Sequence, residues 1–284
     1  MTYVKGILIV IMSLWISACG GDDDNDDEGG NSDWSEWTGS CTDDSNQDLP
    51  TDTTWQWQLL GTIDTSVEVE MYDVDLFDAP DSIIEELRAA GRKVICYFSA
   101  GSWEDWRNDA GDFPGDAVGT VLEGWENEKW VDVRSEGIRG IMLKRLDYAA
   151  ERGCDGVEPD NMDGYLNESG FSLTGYDQLD YNAFIAEEAH KRGLSVGLKN
   201  DVDQLVELEP CFDWALNEEC LAYKECDKYA PFVSAGKAVF HVEYVDSIAD
   251  GQSLADEVCG DPSIEGFSTL IKEWDLEEWL ISCD

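Results

Sequence analysis

From Trp55 onward the apolar and polar positions repeat one unit: a short apolar run, a polar turn, then an amphipathic stretch. Nine runs read as strand candidates, at residues 55–60, 67–73, 94–98, 130–133, within 154–163, and at 194–198, 212–216, 238–242 and 266–271. Between them, Ser82 and Glu85 are spaced as a capping box, with Ile83, Ile84, Leu87 and Ala90 on one face and Gly91 at the end. A second helix gathers Ile138, Ile141, Met142, Leu146 and Ala149 on one side before Gly153, and a third carries Tyr181, Phe184, Ile185 and Ala189 before Gly193. Residues 103–128, rich in Trp, Gly, Asp and Glu, read mostly as a long loop. Strands that alternate with helices pair in parallel, and apolar runs suit a sheet covered by helices. The expectation is an α/β fold, a (β/α)8 TIM barrel with one supernumerary strand. No Gly-x-Gly-x-x-Gly or phosphate loop accompanies it, which argues against a nucleotide-binding sheet.

The stretch from Cys154 to Asp163 organises the rest. It reads as a short buried strand that begins once Gly153 has closed a helix, and Pro159 stops further pairing. Asp160, Asn161 and Asp163 then project from the strand's C-terminal end, where barrels place their chemistry. Other strands end the same way. The expected mouth gathers Asp73, Asp75, Tyr97, Asp160, Lys199, Asn200, Glu218, Glu219, His241 and Glu243. Trp55, Trp57 and Trp103 add flat aromatic rings, with core packing as the alternative for each. Carboxylates and aromatic faces without a metal motif fit sugar chemistry, in which one carboxyl protonates the leaving oxygen and another attacks or activates water. His241 reads as structural. Only two histidines and no Cys-x-x-Cys are present, so neither a metal nor another cofactor is expected.

Composition changes the picture in two ways. The net charge is -45, from 63 acidic against 18 basic residues, which excludes a nucleic-acid partner because phosphate neutralisation needs Lys and Arg. Such acidity suits either a cationic ligand or a salty environment. The apolar content of 43% supports a sizeable core.

Residues 1–18 read as a signal peptide, with Lys5, an apolar run from Ile7 to Ile16, and Ser17-Ala18 before Cys19. Ile-Ser-Ala-Cys resembles the lipobox of bacterial lipoproteins, which implies lipidation of Cys19; Gly20 after it points to the outer membrane or cell surface. Residues 19–50 form an acidic flexible tether, and 51–284 the barrel domain. The membrane is met through the lipid anchor only, and the domain is expected to be a monomer. Cys41, Cys96, Cys154, Cys211, Cys220, Cys226, Cys259 and Cys283 remain, an even set suggesting disulfides in an exported domain. Cys220 and Cys226 are close enough to pair locally, whereas Cys96 and Cys154 lie in strand candidates where buried thiols are equally compatible.

Seven segments carry a resemblance. Trp-Gln-Trp-Gln-Leu (55–59), Tyr-Asp-Val-Asp-Leu-Phe-Asp (72–78), Cys-Tyr-Phe-Ser-Ala-Gly (96–101), Gly-Val-Glu-Pro-Asp-Asn-Met-Asp (156–163), Gly-Leu-Lys-Asn (197–200), Asn-Glu-Glu-Cys (217–220) and Phe-His-Val-Glu-Tyr (240–244) occur in order. Together they resemble glycoside hydrolase family 114, which contains endo-α-1,4-polygalactosaminidases on a TIM barrel. The resemblance covers about residues 54–245. It implies Asp160 as nucleophile and Glu218 as acid/base, with retention at the anomeric carbon. The family motif commonly has Gln where this chain has Glu219. The partner it implies is a cationic or partly acetylated galactosamine polysaccharide, for whose ammonium groups Asp73, Asp75 and Glu243 are the candidates by position and charge. Trp55, Trp57, Tyr97, Lys199 and Asn200 complete the expected substrate-binding set. The competing readings are a non-hydrolytic surface lectin for aminoglycans and a barrel hydrolase of another exopolysaccharide.

Overall fold

The computed structural model describes residues 37, 39, 41 and 49–283; the signal peptide, Cys19 and most of the tether lie outside them. Twelve strands occur among the described residues: β1 (Trp55–Gln58), β2 (Met71–Asp75), β3 (Lys93–Ser99), β4 (Ser102–Glu104), β5 (Val118–Leu122), β6 (Trp125–Val131), β7 (Gly156–Asp160), β8 (Ser195–Lys199), β9 (Trp214–Glu218), β10 (Val239–Val245), β11 (Ser268–Glu273) and β12 (Ile281–Ser282). The helices are α1 (Asp81–Ala89), α2 (Glu136–Arg152), α3 (Gly175–His190), α4 (Leu205–Leu208), α5 (Cys220–Tyr223), α6 (Ala230–Ala235) and α7 (Ile248–Val258).

The main sheet runs β1-β2-β3-β7-β8-β9-β10-β11-β12. The first eight of these pair in parallel, and β12 adds two antiparallel residues to β11. The sheet curls until its first strand meets the β11–β12 end. Trp55 Nε1 donates to the Ser268 carbonyl at 3.1 Å, Lys272 Nζ to Gln56 Oε1 at 3.1 Å, and the Leu59 amide to the Leu276 carbonyl at 3.0 Å. The expected barrel is present, and its ninth strand is β12.

The strand expected at residues 130–133 belongs elsewhere. It is the end of β6, which pairs antiparallel with β4 and β5 in a separate three-stranded sheet. Residues 103–128, read as loop, therefore carry most of that sheet; Gly124 at φ +86 turns the hairpin between β5 and β6. The strand expected at 67–73 starts later, at Met71. Arg92 Nη1 donates to the Val67 and Val69 carbonyls, so these are committed to a guanidinium rather than a ladder. Helix α1 begins on Pro80, whose fixed φ of -64 sets the entry, and the expected Ser82 cap makes no such bond. A true capping box forms at α3, where Thr174 and Asp177 satisfy each other's amides.

Two apolar clusters follow from strand alternation. Trp55, Trp57, Met71, Ile95, Trp214, Leu216, Phe240, Val242 and Leu270 fill the barrel interior. Tyr72, Val74, Val94, Val157, Val196 and Val239 face outward and pack under Ile84, Leu87, Ile141 and Ile185 of the helices. Gly197 is required where it stands, because a Cβ would lie 2.1 Å from the Trp214 ring. Four disulfides brace the frame: Cys41–Cys211, Cys96–Cys154, Cys220–Cys226 and Cys259–Cys283. The local pair is as expected, and Cys96 and Cys154 are bonded rather than free. Such bridges persist where the environment is oxidising, so this is a chain folded outside the reducing cytosol.

Candidate active site

Inward parity decides what the barrel mouth contains. On β7 the inward positions are Glu158 and Asp160; on β8, β9 and β10 the last inward residues are Lys199, Glu218 and Tyr244. These converge. Lys199 Nζ lies 3.1 Å from Asp160 Oδ1, 3.3 Å from Glu218 Oε2 and 2.8 Å from Glu158 Oε1. Its ammonium also sits 4.6 Å from the centre of the Trp57 ring. Burial disfavours the charge on Lys199, but Asp160, Glu158 and Glu218 outweigh it and hold the ammonium well above its ordinary value.

Each flanking carboxylate is held by further donors. Tyr97 Oη donates to Asp160 Oδ2 at 2.9 Å, and Asn161 Nδ2 lies 3.4 Å from the same oxygen. Tyr244 Oη donates to Glu218 Oε1 at 2.5 Å, and Asn200 Nδ2 to Glu218 Oε2 at 3.1 Å. Burial and the neighbouring carboxylates keep both tyrosines protonated, so they act as donors. Trp274 stacks on Tyr244 at 4.1 Å and stays half-exposed. The chain leaves β7, β8 and β9 through Asn161, Asn200 and Glu219 at φ 61, 50 and 63. These left-handed residues turn the backbone sharply outside the mouth and leave the preceding side chains inside. Gly101 lets the β3 loop cross Asn161, since a Cβ there would lie 1.8 Å from the Asn161 carbonyl oxygen.

Of the expected residues, the catalytic candidates Asp160 and Glu218 and the substrate-binding candidates Tyr97, Lys199 and Asn200 are brought together, with Lys199 buried beneath the others. The rest are drawn elsewhere. Trp55 and Trp57 are both 1% exposed and belong to the interior core; Trp103 donates to the Ala110 carbonyl from the small sheet. Asp75 is gripped by Arg107 at 2.9 and 2.6 Å, and Arg107 also contacts Glu104 at 2.8 Å. Glu243 has outward parity. It accepts from the Leu221 amide at 2.8 Å and from His241 Nε2 at 3.1 Å, so it anchors the start of α5 rather than a ligand. His241 is fully buried, with Nδ1 3.1 Å from Thr269 Oγ1. Asp73 is sealed from solvent.

Glu158, Tyr244 and Glu128, missed in the sequence, join Asp163 and Glu219, which were expected at the mouth. Glu158 and Tyr244 share inward parity with Asp160 and Val242, a signal that alternation alone carries. Glu128 of β6 accepts from Ser102 Oγ at 2.8 Å; burial, then Glu104 and Asp160, push it up to about 7. Asp163 is pushed up to about 6 by burial and by Asp160 and Glu218, so it shares their field. Glu219 is pushed up to about 7 by burial, Glu243 and Glu218. Asp163 and Glu219 are partly exposed, and neither pairs with a basic side chain among the described residues.

Paired carboxylates at the C-terminal mouth of a (β/α)8 barrel are the arrangement that glycoside hydrolases use. The chain belongs to glycoside-hydrolase family GH114, whose model matches residues 37–284. It is similar to Ega3 of Aspergillus fumigatus, solved in complex with galactosamine, with 43% identity over 86% of this chain and 100% of that one, at a TM-score of 0.82. The glycoside hydrolase domain of PelA from Pseudomonas aeruginosa shares the fold at 13% identity, covering 82% of this chain and 99% of the other, TM-score 0.63. An exo-β-N-acetylglucosaminidase from Vibrio harveyi shares it more distantly, at 9% identity over 80% and 50% of the two chains, TM-score 0.52. Among curated proteins none matches the chain.

Proposed function

We propose that this enzyme cleaves internal bonds of α-1,4-linked galactosamine polymers, partly deacetylated, with Asp160 as nucleophile and Glu218 as acid/base. One observation carries the reading: a single ammonium, Lys199 Nζ, touches both carboxylates, within 3.1 and 3.3 Å. That shared cation gathers the two carboxylates at one point of the mouth, and retention is the outcome the family resemblance implies. Glu218 protonates the leaving oxygen as Asp160 attacks the anomeric carbon; water then releases the glycosyl ester, with Glu218 taking its proton. Lys199 and Tyr97 orient Asp160 for the attack. Asp163 and Glu219, unpaired and half-dry, take the part of ammonium recognition expected of Asp73, Asp75 and Glu243. The galactosamine complex of the 43% identical Ega3 supports the sugar class.

Export as a lipoprotein completes the proposal. Residues 1–18 direct export, Cys19 carries the lipid, and residues 19–50 hold a monomeric domain off the outer membrane or cell surface. Cys19→Ala, assayed by membrane fractionation, should release the protein or leave it unprocessed.

The test of activity is reducing-end release from deacetylated galactosamine polymer. The wild type should shorten the polymer endwise-independently, into mixed oligomers, and Asp160→Asn should not. Binding without release would favour a lectin, and release only from neutral or N-acetylated glycans would favour another exopolysaccharide.

A further inference from the structure

Beneath Lys199 lie two carboxyl groups that the proposed cycle does not use. Asp73 of β2 and Glu158 of β7 reach each other across the interior past β3, and both are fully buried. Glu158 Oε1 accepts from Lys199 Nζ at 2.8 Å. Both Asp73 oxygens and Glu158 Oε2 meet no N–H or hydroxyl donor among the described residues, so the only partner each has is the other carboxyl group. Two dry carboxylates in contact cannot both be ionised, because each lacks solvation and repels the other. One proton must lie between them.

We propose that Asp73 and Glu158 form a carboxyl–carboxylate pair sharing one proton, and that this pair is a positioning device that seats Lys199 between Asp160 and Glu218. The proton resides on Asp73, whose only nearby cation is Lys199, and it is donated to Glu158 Oε2. Glu158 is left anionic and accepts the lysine at its other oxygen. The groups facing the pair support this assignment. Burial, Glu158 and Asp75 raise Asp73 well above its ordinary value, with Lys199 opposing; Glu158 is pushed up to about 7 by burial, with Lys199 opposing and Asp160 adding to the rise. Trp57 walls the site from β1, and Tyr97 separates it from the mouth on β3.

The consequence concerns Lys199. During retention Glu218 alternates between acid and carboxylate, so the pull on the lysine from the mouth changes within each turnover. A constant anchor below keeps the ammonium from collapsing onto either catalytic oxygen. That effect on turnover rests on the proposed roles of Asp160 and Glu218, whereas the shared proton does not.

The first test is an infrared spectrum of the substrate-free full chain near pH 8, above the value of about 7 to which Glu158 is pushed, compared with Asp73→Asn. The protonated-carboxyl band, identified by its shift in heavy water, should lose one acid's intensity in the variant. An unchanged band overturns the proposal, whatever the polymer substrate proves to be. Kinetics give the second arm. Asp73→Ala strands Glu158 and should lower kcat about 30-fold with KM little changed, the loss expected for one charge-assisted hydrogen bond. Asp73→Asn supplies an N–H where the O–H was and should restore kcat to within about threefold, since the bond to the carboxylate is kept. It should also extend activity to higher pH, where the wild type loses the shared proton. An Asp73→Asn enzyme as inactive as Asp160→Asn would show that Asp73 must ionise and would overturn the reading. If Asp73→Asn does not fold, Glu158→Gln decides: the shared proton needs both carboxyl groups, so the Asp73 acid band must shift or vanish, and an unchanged band refutes the pair.

Discussion

Asp160 and Glu218 are held alike, each by a tyrosine hydroxyl, an amide and the Lys199 ammonium, so it is their proposed roles that set what each substitution does. Asp160 is fixed in place by the Tyr97 hydroxyl and the Lys199 ammonium. Asp160→Asn should reduce kcat by about 10⁴-fold or more while leaving thermal unfolding within a few degrees, because a nucleophile at the mouth contributes little packing. Glu218→Gln removes the proton donor and should cost about 10²–10⁴-fold, most with poor leaving groups and least with activated aryl glycosides. Asp163→Asn and Glu219→Gln should raise KM for deacetylated polymer by about tenfold, consistent with losing a hydrogen bond to a charged group, and barely change it for acetylated polymer. Equal effects on both polymers would remove them from ammonium recognition. The meeting of Asp160 and Glu218 at the mouth was readable because each residue ends an apolar run inside a motif. The depth of Trp57 and Asp73 was not. They sit opposite each other in the β1–β2 register, below the mouth, and register depends on pairing partners that a single strand does not announce.

At the scale of elements, the frame that aims Glu218 is the turn from β9 into α5. Glu243 holds the Leu221 amide, and the Cys220–Cys226 bridge closes the same turn. Glu243→Ala should therefore lower kcat several-fold without a matching rise in KM, which separates an anchor from a substrate contact; a KM effect confined to cationic polymer would return Glu243 to the binding set. Trp57→Ala should cost about 3–5 kcal/mol of stability, the price of emptying a core site, whereas a solvent-facing platform would lose binding alone. Strand order was legible because most parallel strands carry apolar runs and are followed by a helix, β1 and β11 being the exceptions. The three-stranded sheet at residues 102–131 was not, since its exposed strands mix Glu, Lys and Trp without clean alternation. Its one local signal is the Glu123-Gly124 turn between two β-prone runs.

For the whole molecule, the buried acids make stability depend on pH in an unusual direction. Burial pushes Glu128 and Glu219 up to about 7 and Asp163 to about 6. Their folded values exceed the unfolded ones, near 4. The folded state thus binds more protons in between, and stability is full below about pH 4 and lost as pH rises through about 7. Lys272, pushed down to about 7 by burial, acts oppositely but only above that point, where it is neutral when folded and charged when unfolded. The thermal midpoint should fall from pH 5 to pH 7, as a calorimetric series would register; a rise over that span would contradict these shifts. The net charge of -45 should also make polymer binding salt-dependent, since attraction over more than about 8–10 Å is screened at physiological ionic strength. Affinity indifferent to salt would assign the acidity to the environment instead. The central claim, a two-carboxylate retaining enzyme for α-linked galactosamine, is met most directly by proton NMR of the first products from deacetylated polymer. The account expects the α-anomer to appear first and the β-anomer to follow only by mutarotation. A β-anomer formed first would contradict Asp160 as the nucleophile.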